Sequence, residues 1–297
     1  MSQVDSSEWT SQVAKAQALE QQGDLEGASS KLKQFADRGN GLAQFSYAWR
    51  IKDSAKPNSN ELKLACSYFI KSADLNIPVG AQEAGHCYRD SVLIAADGTQ
   101  LENAEKYYNI AIDNGLVASY CDIAALHQNQ PSEKLNEMAG RCEQVAGQGA
   151  VYAQEILVDV YANSEGLNNN EKAIQWLEIA AEKSAKSAYR YALTLHQSGQ
   201  IKPELTRFYF ESAASKGYVP AYLETSALYL NGFAEAQDNE QAQAYLAKAY
   251  LWANAWKRTN PTVEAPEWVA QIEQQVPATW KEELDGKVTE HVKQFSS

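Results

Sequence analysis

The sequence predicts an all-α fold: a right-handed α-solenoid of about seven antiparallel helix pairs, capped by C-terminal helices. Three observations predict it. Ala, Leu, Gln, Glu and Lys dominate the 297 residues, and apolar residues recur at spacings of three and four. Strand signals are scarce. A pattern of small and bulky residues also returns along the chain at intervals of 33 to 39 residues.

The repeat is anchored at Gly39, Asn76, Gly115, Gly149, Ser184 and Gly217. Four of the six are Gly and one is Asn, the residues that tolerate the left-handed conformation closing a helix. Three residues before the anchors stand Ala36, Ala73, Ile112, Ala146, Ala181 and Ala214; four after stand Ala43, Gly80, Ser119, Ala153, Ala188 and Ala221. The second column is small throughout, which lets two helix backbones approach closely. Bulky pairs precede the anchors by seven and eight residues: Tyr68–Phe69, Tyr107–Tyr108, Trp176–Leu177 and Tyr209–Phe210. Pro78 and Pro220 fall just after anchors, and Pro131 and Pro203 fall where the second helix of a unit should start. Proline is tolerated at a helix start and costly inside one.

Each unit therefore reads as helix, loop, helix and tight turn. One hairpin cannot bury its apolar faces alone, and stacked hairpins share a core. The repeat array is expected over 1–260, and capping helices carrying Trp268 and Trp280 over 261–297.

The stretches YYNIAIDNG (107–115), WLEIAAEKS (176–184), FESAASKG (210–217) and SALYLNG (226–232) resemble the SEL-one-like repeat family, relatives of the tetratricopeptide repeats. The resemblance covers most of the chain. The family's Gly-rich loop between helices is largely missing here, and Asn76 and Ser184 replace the turn Gly. The resemblance implies a non-catalytic adaptor that binds other proteins. In bacterial members it implies work in the cell envelope, in signalling, secretion or effector immunity. Disulfide-bridged helical repeats also occur in the family.

Composition narrows the partner. The formal charge of −12 repels phosphate backbones, so nucleic acid is excluded as an expected partner, and a basic effector or envelope component suits the surface. No apolar run approaches the length of a membrane span. The N-terminus, MSQVDSSEWT, has neither the basic nor the apolar region of a signal peptide. The expected state is a monomer.

The cysteines bear on the compartment. Cys66 and Cys87 are 21 residues apart, centred on the turn near residue 77; Cys121 and Cys142 are also 21 apart, centred on Pro131. Residues equidistant from a hairpin turn face one another, so both pairs are placed for cross-helix disulfides. The alternative is four buried thiols in a reducing cytosol. Bridges would imply a periplasmic protein whose signal has been removed; thiols would imply a cytoplasmic one.

Few residues invite chemistry. His127 and His196 stand twelve after an anchor, where Tyr88, Tyr161 and Tyr229 also stand, and read as replacements for a packing aromatic. His291 reads as solvated. No zinc-ligand spacing, nucleophile elbow or phosphate-binding loop is present, and the carboxylates read as scattered over polar faces. No catalytic residue, metal or cofactor is expected.

The candidate binding row follows from the repeat. First helices of such solenoids line the concave side, and positions six and ten after the anchor share the face opposite the core. They hold Phe45 and Trp49, Gln82 and His86, Cys121 and Ala125, Glu155 and Asp159, Arg190 and Thr194, and Leu223 and Ala227. The expected partner contacts are Trp49, His86, Glu155, Asp159 and Arg190, because Trp and Arg are favoured interface anchors. The alternative is that Phe45 and Trp49 pack against the first repeat and the charges are merely solvated. The functions weighed are a protein-binding scaffold, an immunity protein neutralising a toxic effector, and a carbohydrate- or ligand-binding envelope protein.

Overall fold

The structure is a computed structural model that describes residues 6–129, 131–197 and 203–295. Among the described residues there are sixteen helices and no strand. The chain divides into two compact units, Met1–Asn168 and Asn169–Ser297.

The first unit holds α1 (Ser6–Gln21), α2 (Leu25–Asp37), α3 (Gly41–Ser54), α4 (Asn60–Ala73), α5 (Pro78–Arg89), α6 (Gln100–Asp113), α7 (Ser119–Leu126), α8 (Glu133–Gly147) and α9 (Val151–Asn163). Each helix packs on the next. In addition α1 touches α3, α3 touches α5, α7 touches α9, and α4 touches α6. Odd helices thus stack on odd and even on even, as a two-layer array of hairpins requires.

The turns between hairpins explain the repeat. Gly39, Gly115, Gly149 and Gly217 have φ of 87°, 95°, 91° and 81°, and Asn76 has φ of 59°. At the first turn the Gly39 amide donates to Ala36 O at 3.0 Å and the Asn40 amide to Phe35 O at 3.1 Å, which closes α2. The Asn40 side chain then accepts the Ala43 amide at 2.8 Å and opens α3. One short turn therefore ends a helix and starts another.

Ser184 departs from this scheme. Its φ is not positive; its Oγ instead accepts the Ser187 amide at 3.1 Å. It is the N-cap of the following helix and corresponds to Asn40, one residue past the turn glycine. The sequence conceals the offset because Ala180, Ala181, Ser187 and Ala188 are all buried, so either register satisfies the small columns.

The column four after the anchors is buried at every repeat. Ser72 shows what the small residue is for. Its Oγ donates to Gly41 O at 2.8 Å, and a Cβ on Gly80 would lie 2.4 Å from Ser72 Oγ. Tyrosines also reach back to carboxylates on the preceding even helix. Tyr161 donates to Glu143 at 2.7 Å, and Tyr68 to Asp37 at 2.6 Å.

The second unit holds α10 (Asn170–Ala181), α11 (Ala185–Gln197), α12 (Pro203–Ser215), α13 (Pro220–Glu235), α14 (Asn239–Thr259), α15 (Glu267–Gln275) and α16 (Ala278–Phe295). The tyrosine device recurs, Tyr229 donating to Glu211 at 2.5 Å. Both α15 and α16 pack on α14, and Trp268 and Trp280 join the core around Val269 and Ile272. Phe295 returns over the turn at Gly217, where a Cβ would meet its ring at 2.4 Å.

Both expected cysteine bridges are present: Cys66–Cys87 with Cα atoms 5.9 Å apart, and Cys121–Cys142 at 4.8 Å. Among the described residues no helix is long and apolar enough to cross a membrane.

Candidate functional site: a polar ladder across the odd helices of the first unit

Five side chains form a continuous ladder across α3, α5, α7 and α9. On α3, Lys52 donates to Glu83 Oε2 of α5 at 2.5 Å. Three residues on from Glu83, hence on the same helix face, His86 places Nδ1 3.5 Å from Glu83 Oε1 and Nε2 3.0 Å from Asp122 Oδ1 of α7. Asp122 also accepts from Gln82 at 2.7 Å and from the Tyr152 hydroxyl of α9. Tyr152 Oη lies 3.4 Å from His86 Nε2 as well.

Local sequence builds each rung. Gln82, Glu83 and His86 share one face of α5. Next to His86, Gly85 has no Cβ, and one built there would meet the Tyr108 ring at 2.4 Å. Tyr108 of α6 can therefore lie against α5, and its ring meets the imidazole edge-on at 5.6 Å. The Tyr108 hydroxyl is buried, with no hydrogen-bond partner among the described residues.

Burial sets the electrostatics. The Asp122 side chain is fully buried, and those of Glu83 and His86 are 10% and 13% exposed. Burial pushes the His86 imidazole down, but hydrogen bonds and charge from Asp122 and Glu83 outweigh it, and its pKa is raised. Burial pushes the Glu83 carboxyl up, but His86 and then Lys52 outweigh it and hold the carboxyl below its ordinary value. Burial, followed by the Asp122 charge, raises the Tyr152 hydroxyl. A charged imidazole between two carboxylates donates from both ring nitrogens, so Glu83 and Asp122 each gain a partner from His86.

The ladder ends in exposed aromatics. Trp49 is 48% exposed, with the Lys52 ammonium 5.0 Å from its ring centroid, and Tyr152 is 40% exposed. Phe45 lies 6.0 Å from Trp49 and 5.9 Å from Phe69, half-buried on the core. Both Phe45 and Trp49 edge a cleft of about 220 Å³ with Val13, Ala16, Gln17 and Leu32.

The sequence-predicted residues divide accordingly. His86 is a rung of the ladder, and Trp49 flanks its Lys52 end. Glu155 and Asp159 lie three and seven residues after Tyr152 on α9, on its face, half-buried and exposed respectively. Arg190 lies on α11 of the second unit and is half-buried. Within the same row, Cys121 is buried in its disulfide and does not face a partner. Three expectations are corrected. His196 is exposed at the end of α11 and packs nothing like an aromatic, whereas His127 is held by Glu105 at 2.8 Å. His291 is not solvated: it sits among Tyr222, Trp252 and Phe295 and contacts the Tyr222 hydroxyl at 3.0 Å. Nor are the carboxylates merely scattered, since Glu83 and Asp122 converge on one imidazole.

Asp122 and Glu83, each seven after an anchor, had no sequence signal beyond that shared position, since a carboxylate on a mixed face reads as solvated. Among the described residues, no group of His, Cys, Asp and Glu is disposed to hold a metal ion.

No family model matches the chain, and no curated protein resembles it in sequence. Solved structures match it in fold. An antigen of uropathogenic Escherichia coli, c5321, with an SLR fold, aligns at 16% identity and a TM-score of 0.48, over 90% of this chain and 64% of its own. This chain thus spans less than two thirds of that antigen. Immunity protein PA5088 of Pseudomonas aeruginosa aligns at 17% identity and a TM-score of 0.46, over 80% of this chain and 88% of its own. A Sel1 repeat protein of Oxalobacter formigenes aligns at 18% identity and a TM-score of 0.54, over 80% of this chain and 98% of its own. With helix hairpins, turn glycines and small columns in place, that last likeness fixes the architecture: this chain has the Sel1-like repeat fold.

Proposed function

We propose that the chain is a non-enzymatic protein-binding scaffold, and that it engages its partner through the ladder face of the first unit. The observation that carries the reading is the ladder itself: a satisfied polar network spanning four odd helices, with exposed aromatics at Trp49 and Tyr152. Exposed Trp and Tyr on a rigid frame are the side chains that anchor interfaces. A network already hydrogen-bonded in the free protein also needs little ordering when a partner arrives. Glu155 and Asp159 extend the face along α9, and Arg190 is a separate contact on the second unit.

The formal charge of −12 favours a basic partner. Two disulfides support an oxidising compartment, the periplasm in a bacterium. There the chain acts as a monomeric adaptor; a secreted basic effector, neutralised by direct binding, is the narrower form of the same role. The test is affinity capture from native cells under oxidising conditions, with the wild type and a Trp49→Ala, Tyr152→Ala double variant. A basic protein retained by the wild type and lost by the double variant supports the reading. Capture of the same proteins by both overturns it.

A further inference from the structure

We propose that the two disulfides are positioning elements of the ladder face: they hold α5 and α7 at the register where His86 meets Asp122. The inference deepens the docking reading and takes its functional meaning from it.

The placement is what argues for this. Cys87 immediately follows His86 on α5, and Cys121 immediately precedes Asp122 on α7. Each bridge thus grips its helix one residue from the rung. Cys66–Cys87 ties α5 to α4, and Cys121–Cys142 ties α7 to α8. Both tie an odd helix to the even helix behind it, and the two odd helices then meet through His86 and Asp122.

α7 most needs the grip. It has eight residues and no side-chain N-cap hydrogen bond. Helices this short are marginal on their own. Yet α7 carries a fully buried carboxylate that must serve Gln82, His86 and Tyr152 at once. A slip of one residue turns a helix by about 100° and shifts it by about 1.5 Å. Hydrogen bonds tolerate only a few tenths of an ångström, so such a slip would break all three. On α5, Tyr108 seated at Gly85 limits movement from the α6 side, and the Cys87 bridge limits it from the α4 side.

Opening a bridge takes two electrons and two protons from a dithiol, leaving two thiols on the chain and a cyclic disulfide on the reductant. The groups facing His86 are Glu83 of its own helix, Asp122 of α7, Tyr152 of α9 and Tyr108 of α6, with Lys52 of α3 behind Glu83. The His86 titration therefore reports whether the rungs are aligned.

The experiment is an NMR titration of the histidine ring protons in the oxidised 297-residue chain and in two variants. One is Cys121→Ala, Cys142→Ala; the other is Cys66→Ala, Cys87→Ala. His86→Gln assigns the resonance. In the oxidised chain the His86 midpoint should lie above the ordinary value of 6.5. It should fall toward that value when either bridge is lost, while the His291 midpoint in the second unit stays put. A His86 midpoint unchanged in folded variants overturns the proposal. Should a variant fail to fold by circular dichroism, the wild type opened with dithiothreitol under native conditions gives the same reading by the same criterion. No partner enters the measurement, so its failure leaves the docking reading standing, and loss of docking leaves this geometry standing.

Discussion

His86 of α5 and Asp122 of α7 stand 36 residues apart in the chain and meet at 3.0 Å. Asp122 is fully buried, so its charge depends on that imidazole, on Gln82 and on Tyr152. Removing one partner of a buried charge pair strands the other. Exchanging His86 for Ala should therefore cost on the order of 3 kcal/mol in urea unfolding. At the solvent end of the ladder, Lys52 is 38% exposed and its pair with Glu83 is screened. Exchanging Lys52 for Ala should cost less than about 1 kcal/mol. Equal costs at His86 and Lys52 would deny that burial grades the ladder.

The histidines of the two units should pull stability in opposite directions with pH. His86 has its folded pKa raised, so its contribution is full below the unfolded value of 6.5 and is lost as pH rises through the folded value. Glu83 has its folded pKa lowered, so its contribution is full above the unfolded value of 4.5 and is lost as pH falls through the folded value. Together they stabilise the first unit most between 4.5 and 6.5. His291 is lowered, chiefly by burial among aromatic rings, so the unfolded chain binds its proton more readily and stability drops as pH falls below 6.5. In thermal unfolding, His86→Gln should flatten a fall in stability above pH 6.5, and His291→Gln should flatten a fall in stability below pH 6.5. Identical slopes in the two variants would contradict the assignment.

Each disulfide closes a loop of 21 residues. The chain-entropy model assigns about 3 kcal/mol to such a loop. Guanidinium unfolding of Cys66→Ala, Cys87→Ala and of Cys121→Ala, Cys142→Ala should give losses of that size. Midpoints matching the wild type would show the crosslinks to be energetically idle.

Two turn residues that look alike in the repeat should respond differently to glycine. Asn76 is held at φ 59°, where Ala is strained by about 1 kcal/mol and Gly is not. Asn76→Ala should destabilise and Asn76→Gly should not. Ser184 is an N-cap, so Ser184→Ala should cost about 1 kcal/mol and Ser184→Gly only a few tenths. A gain in stability at Ser184→Gly would restore the left-handed assignment for that turn.

A methyl group at Gly85 would lie 2.4–3.0 Å from three ring atoms of Tyr108. Gly85→Ala should cost about 1–3 kcal/mol by overpacking and should shift the His86 ring resonances. A crystal structure of the variant with the Tyr108 ring unmoved would refute the stated role of this glycine.

The helix hairpins, five of the six turn positions, the buried small column and both cysteine pairings were legible in the sequence. All arise from constraints between residues near one another along the chain: a φ that only Gly or Asn accepts readily, a Cβ that does not fit, two positions equidistant from a turn. Such constraints act on residue type directly, so they leave a periodic trace. At Ser184 the trace was ambiguous by one residue because two adjacent alanines and a Ser–Ala pair satisfied both registers.

The ladder was legible only in part. Trp49 and His86 were marked by their place in the repeat, but Lys52, Glu83, Asp122 and Tyr152 were not. The stacking of hairpins decided them, because it brings α3, α5, α7 and α9 side by side and buries what they hold between them. The chain by itself determined that hairpins form and repeat, since propensity, turn stereochemistry and side-chain size act over a few residues. Only tertiary packing decided which charges lose their water, since desolvation depends on neighbours 30 to 40 residues away, and that loss makes His86 and Asp122 partners rather than two solvated groups.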